Sequence, residues 1–111
     1  MAEAFQELEQ RFMQTQDMHR RVAQSERQAM ITKQRCELVM TELKSLPENT
    51  PTYKQIGRAY FMEPRAAVLK SCEEDIASSS SQAEASKLKR EKLEEQLEGT
   101  RKELQEIAMA R

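Results

Sequence analysis

The sequence predicts a mainly α protein: two long helices folded back on each other as an antiparallel coiled coil, with a β-hairpin between them. Three observations carry this. Pro47, Pro51 and Pro64 are the only prolines, and with Gly57 they confine nearly all the strong helix breakers to residues 47–64. On either side, apolar residues recur at heptad spacing. Between the arms, TYKQIGRAYFMEP (Thr52 to Pro64) contains three of the five aromatic residues in a β-favouring setting.

The first arm, residues 1–47, carries no Pro or Gly from Ala2 to Leu46. A heptad count puts Phe5, Phe12, His19, Glu26, Lys33 and Met40 at one seam position and Leu8, Thr15, Val22, Ala29, Cys36 and Leu43 at the other; eight of the twelve are apolar.

The central segment, residues 48–63, reads as a hairpin, because Gly57 lies between two short runs rich in Tyr, Ile and Phe. A two-stranded hairpin is barely stable alone in water. The segment therefore calls for a partner.

The second arm, residues 64–111, is interrupted only by Gly99, and Pro64 suits the first turn of a helix. Its seam runs through Leu69, Ile76, Ala83, Arg90, Leu97 and Leu104, with Cys72, Ser79, Ser86, Leu93, Thr100 and Ile107; again eight of twelve are apolar. Folding the arms back places Leu43 opposite Leu69, Cys36 opposite Ile76, His19 opposite Leu93, Val22 opposite Arg90 and Leu8 opposite Leu104. The layers nearest the hairpin are apolar, whereas Lys33/Ser79 and Glu26/Ser86 are polar, so the register is firm at the base and soft beyond it. All three segments make one domain.

Composition narrows the function. With 33% charged and 38% hydrophobic residues, 111 residues suit an extended or oligomeric shape better than a globular core. The net charge of −1 lacks the basic footprint of a nucleic-acid binder, and the basic run Lys87 to Arg90 is followed at once by acidic residues. No window is apolar enough to cross a bilayer, and no secretory signal opens the chain, so a cytoplasmic protein without membrane contacts is expected.

Chemistry is scarce. His19 is the single histidine, so no catalytic triad or His-rich metal site can be assembled, and two glycines provide no phosphate-binding loop. Neither catalysis nor a cofactor is expected. Cys36 and Cys72 lack CxxC spacing and read as reduced, buried thiols. Ser78 to Ser81 read as a flexible turn of low helix propensity. Met13, Met18 and Met30 fall off the seam.

YKQIGRAYFM, Tyr53 to Met62, resembles the hairpin of prefoldin subunits of the β type, a family with a Tyr-x-x-x-Gly-Arg-x-aromatic-apolar pattern. Tyr53, Gly57, Arg58, Tyr60 and Phe61 are the matching positions, and a single breaker-rich segment fits the β type because α-type subunits carry two hairpins. Pro51 and Pro64 stand close to the strands, and Ala59 is small where the family often has a larger apolar residue.

The resemblance implies a cytosolic heterohexamer of two α-type and four β-type subunits, whose hairpins join into an oligomeric β-barrel. It implies that Tyr53, Ile56, Gly57, Arg58, Tyr60 and Phe61 serve subunit assembly. It also implies an ATP-independent holdase, which binds non-native proteins such as actin and tubulin at coiled-coil tips and delivers them to the cytosolic chaperonin. Here those tips would be Phe5, Leu8, Phe12, Leu104, Ile107 and Met109. The rival expectation is a structural or tethering coiled coil that oligomerises through its seams and binds no client.

Overall fold

The computed structural model describes residues 2–110. The element order is α1 (Ala2–Ser45), β1 (Thr52–Ile56), β2 (Ala59–Glu63) and α2 (Arg65–Met109): two long helices with a small antiparallel hairpin between them, as expected.

Every predicted seam position on both helices is half-buried or buried. Heptad spacing sets this pattern because residues seven apart return to nearly the same helix face. The buried residues are small, Ala29, Ser79 and Ser86. Short side chains at a seam let the surrounding structure close over them, whereas longer ones keep their ends in solvent.

The described residues group into two compact units. One contains residues 28–82 and carries the hairpin. In it α1 ends at Ser45, since Leu46 precedes a proline and is disfavoured in helical conformation. The Leu46 amide still donates to the Leu43 carbonyl at 3.3 Å, and the Ser45 hydroxyl to the Glu42 carbonyl at 2.7 Å, satisfying groups at the helix end. A turn follows, closed by the Thr50 amide on the Pro47 carbonyl at 3.0 Å.

Helix α2 begins at Arg65, one residue after the proline expected to open it. Pro64 stands just outside, and its carbonyl accepts from the amides of Ala67 and Val68 at 3.0 and 3.2 Å. Ser78 to Ser81 are helical, contrary to the flexible turn expected of them. Burial is the reason: Ser79 is only 7% exposed, and tertiary packing overrides a weak local propensity. The cysteines also differ from expectation, for both are half-buried rather than buried.

The other unit contains residues 1–27 and 83–111 and brings together the ends of α1 and α2. Its seam combines apolar positions with an ion-pair chain. Exposed pairs, such as Asp17 with Arg20 and Arg21 or Glu98 with Arg101, lie on its surface and contribute little.

Candidate functional site

The hairpin is built from the turn outwards. Gly57 has φ +63°, and no other described residue has positive φ. Positive φ at the first central position followed by an ordinary φ at Arg58 is the pattern of a type II′ turn, whose twist matches that of paired strands. The two-residue connection fixes the register: Ile56 opposes Ala59, Gln55 opposes Tyr60, Lys54 opposes Phe61, Tyr53 opposes Met62 and Thr52 opposes Glu63. The Thr52 hydroxyl donates to the Glu63 carbonyl, closing the open end, and Gln55 Nε2 donates to the Gly57 carbonyl at 3.2 Å. The strands run right up to Pro51 and Pro64, which lack the donor or the freedom to continue the ladder.

Alternation along a strand assigns the side chains to two faces. Tyr53, Gln55, Tyr60 and Met62 share one face, and Thr52, Lys54, Ile56, Ala59, Phe61 and Glu63 share the other. Both expose large apolar groups: Tyr60 is 68% exposed and Met62 69% on the first, Ile56 58% and Phe61 52% on the second. Tyr53, Gly57 and Arg58 are exposed as well. Among the described residues the sheet has two strands, so each strand leaves one edge unpaired. The sequence-derived assembly residues thus lie together on one small element. Met62, which completes the face of Tyr53 and Tyr60, was missed, although its even spacing from Tyr60 could have revealed it.

The six tip positions fall in the unit that carries the chain ends. Phe5, Leu8, Phe12, Leu104 and Ile107 are half-buried seam residues, while Met109, in the last helical position, is exposed. Met13 and Met18 add exposed apolar surface off the seam in this unit.

Between these positions and residue 27, polar side chains that the heptad count left as a soft stretch are linked. Arg90 Nε donates to Glu26 Oε2 at 2.6 Å and Arg90 Nη1 to Glu94 Oε1 at 2.9 Å. His19 Nε2 lies 3.1 Å from the same Glu94 oxygen. The ring nitrogen thus finds a carboxylate one residue beyond the leucine expected opposite it. The hydrogen bonds that Arg90 donates to Glu26 first, then Glu94, raise its pKa well above the ordinary value. Those from His19 first, then Arg90, lower that of Glu94. Met30, Ile31, Leu38 and Val39 on α1, and Leu46 just past its end, expose apolar surface in the hairpin-bearing unit, and only Met30 was singled out from the sequence.

Among the described residues, no group of three or more His, Cys, Asp or Glu is arranged to hold a metal ion. No helix there is long and apolar enough to cross a membrane.

A family model described as a prefoldin subunit matches residues 6–111. The chain belongs to the prefoldin subunit family. Prefoldin subunit 1 from Arabidopsis thaliana is 32% identical over 75 residues, which cover 68% of this chain and 59% of the relative. The chain is therefore aligned with rather more than half of that protein. The crystal structure of the prefoldin beta subunit from Thermococcus strain KS-1 superposes with a TM-score of 0.79, covering 94% of this chain and 91% of that one at 18% identity. That likeness is one of fold. It places the present prefoldin subunit in the β-type architecture, with coiled-coil helices on either side of one hairpin.

Proposed function

We propose that this prefoldin subunit is a β-type component of a cytoplasmic, ATP-independent holdase, a heterohexamer of two α-type and four β-type chains. In this reading it binds non-native proteins, actin and tubulin among them, at the ends of its helices and passes them to the cytosolic chaperonin. The observation that carries the reading is the hairpin. Tyr53, Ile56, Tyr60, Phe61 and Met62 are each more than half exposed on a two-stranded sheet. Fully burying one such apolar side chain contributes about 1.5 to 3 kcal/mol. Neighbouring hairpins would cover these faces and complete the open edges, and Tyr53, Ile56, Gly57, Arg58, Tyr60 and Phe61 would be the residues that hold subunits together.

Client binding is assigned to Phe5, Leu8, Phe12, Leu104, Ile107 and Met109. Family membership supports a chaperone subunit, and the gathering of these apolar positions in one unit supports their acting as a set. Weak contacts of this kind gain strength when several tethered sites engage one client.

The test is co-expression of the full chain with an α-type prefoldin subunit, followed by native mass measurement and an aggregation assay with unfolded actin. A complex of six chains that suppresses aggregation without ATP is expected. A self-associating dimer indifferent to the α-type chain would point to a tethering coiled coil instead. A hexamer that leaves actin aggregation unchanged would preserve the assembly assignment and remove the client assignment.

A further inference from the structure

His19 is the single histidine of the chain. It sits in the unit that carries the chain ends, where its Nε2 lies 3.1 Å from Glu94 Oε1 on the other helix, with the two side chains 27% and 47% exposed. Nε2 must carry a proton to bond a carboxylate, so a further proton is added at Nδ1 and turns the same contact into an ion pair without moving it. The surrounding cluster is one positive charge short. Arg90 bonds both Glu94 and Glu26, so two carboxylates stand against one guanidinium until the ring becomes positive and balances them. Glu94 also shares a surface of α2 with Glu91, Glu95 and Glu98, offset by Lys102 and by Arg101, which is paired with Glu98. On α1 the neighbouring Asp17 is held by Arg20 and Arg21.

We propose that His19 is a pH-operated clasp between α1 and α2, which tightens the unit carrying the chain ends when its ring is protonated and eases it when the ring is neutral. The seam gives such a contact leverage, because its Glu26/Ser86 layer is polar and cross-helix charge contacts must supply part of the pairing there. Histidine is the side chain that changes charge between about pH 5 and 8. A protonated ring gains from Glu94 only while the helices are together, so this contribution is present on the acid side of that change and is lost as pH rises through it.

Glu94, held below the ordinary carboxylate range by His19 first and Arg90 next, keeps its charge across this window. The loss of stability once Glu94 itself is protonated is therefore a separate event at lower pH and of opposite sign. Under the client reading, on which this consequence rests, the clasp governs how readily the half-buried Leu8, Phe12 and Leu104 become available to a client.

The test is amide hydrogen exchange of the full chain at about pH 8 and about pH 6, corrected for the intrinsic pH dependence of exchange, with the ring charge followed by NMR. Protection in the unit carrying the chain ends should rise about two- to fivefold at the lower pH, as suits a partly exposed ion pair, and change less in the hairpin-bearing unit. His19→Gln and Glu94→Gln should lose the rise. His19→Lys, charged at both pH values, should hold the higher protection throughout. A ring still neutral at the lower pH, equal protection at the two pH values, a rise retained in either Gln variant, or a His19→Lys chain that follows pH as the unaltered one does would each overturn the proposal. Aggregation suppression by the assembled complex should weaken at the lower pH. Unchanged suppression beside the expected rise in protection would keep the clasp and remove the tip assignment.

Discussion

Arg90 on α2 grips Glu26 on α1 through Nε and Nη2, at 2.6 and 3.5 Å from the two carboxylate oxygens, and the Glu26 side chain is only 16% exposed. The bond crosses between the helices where the seam has no apolar layer. Losing one partner strands a charge that is largely shielded from water, while replacing both by apolar groups removes that difficulty. Arg90→Ala is therefore expected to lower the thermal unfolding midpoint by several degrees, read by far-UV circular dichroism. The double variant Glu26→Leu, Arg90→Leu should match or exceed the unaltered chain. A single variant with an unchanged midpoint would show that the pair adds nothing to helix pairing.

The same chain of contacts sets a pH dependence. Glu94 has a folded pKa held below its ordinary value of 4.5 by hydrogen bonds from His19 first and Arg90 next, and Glu98 is lowered by Arg101. Groups depressed on folding stabilise the folded state above their unfolded pKa, and that contribution disappears as pH falls through the folded one. Thermal stability should therefore hold on the neutral side and decline on acidification through and below the ordinary glutamate value. Glu94→Gln should flatten part of that decline. An equal acid sensitivity in the variant would assign the effect to other carboxylates.

For the hairpin, Tyr60 and Phe61 project from opposite faces, so any partner that covers either face buries one of them. Truncating a packed aromatic costs roughly 3 to 5 kcal/mol. Tyr60→Ala with Phe61→Ala should abolish co-purification with an α-type subunit while helix content stays high. Full-size complexes from this variant would exclude the hairpin as the assembly element.

At Gly57 the space around an added Cβ is open, so any penalty comes from the backbone, whose φ of +63° disfavours side chains. Non-glycine residues pay roughly 1 to 2 kcal/mol in left-handed conformations, and β-branched ones more. Gly57→Val should weaken complex formation, Gly57→Asn should do so less, and both should leave the helices intact. Equal assembly by all three chains would place the critical turn elsewhere.

The tip assignment has its own test. Phe5→Ser, Leu8→Ser and Phe12→Ser together are expected to reduce, though not eliminate, suppression of client aggregation by the assembled complex, with its mass unchanged. Because those residues are half-buried, Met109→Ser serves as the companion variant: Met109 is 83% exposed and can be altered without loosening the seam. An apolar contact should survive raised salt. Full activity in both variants, or activity lost on moderate salt addition, would redirect attention to the charged helix faces.

The sequence by itself determined both helices, every seam position, the hairpin and the glycine at its turn. Each of these is written in local spacing: seven-residue recurrence from Phe5 to Ile107, prolines at the strand ends, and a Gly where the chain reverses. Tertiary structure alone decided how the polar seam residues pair. A heptad count says that Glu26, Arg90 and His19 face the opposite helix, but long flexible side chains reach past their own layer, so Arg90 selects Glu26 and Glu94 over Val22. It likewise decided that Ser79 is buried in unbroken helix, where packing outweighs propensity, and that Cys36 and Cys72 are half-buried rather than buried. The faces of the hairpin followed only from its register, because one residue of slip would exchange the positions of Tyr60 and Phe61.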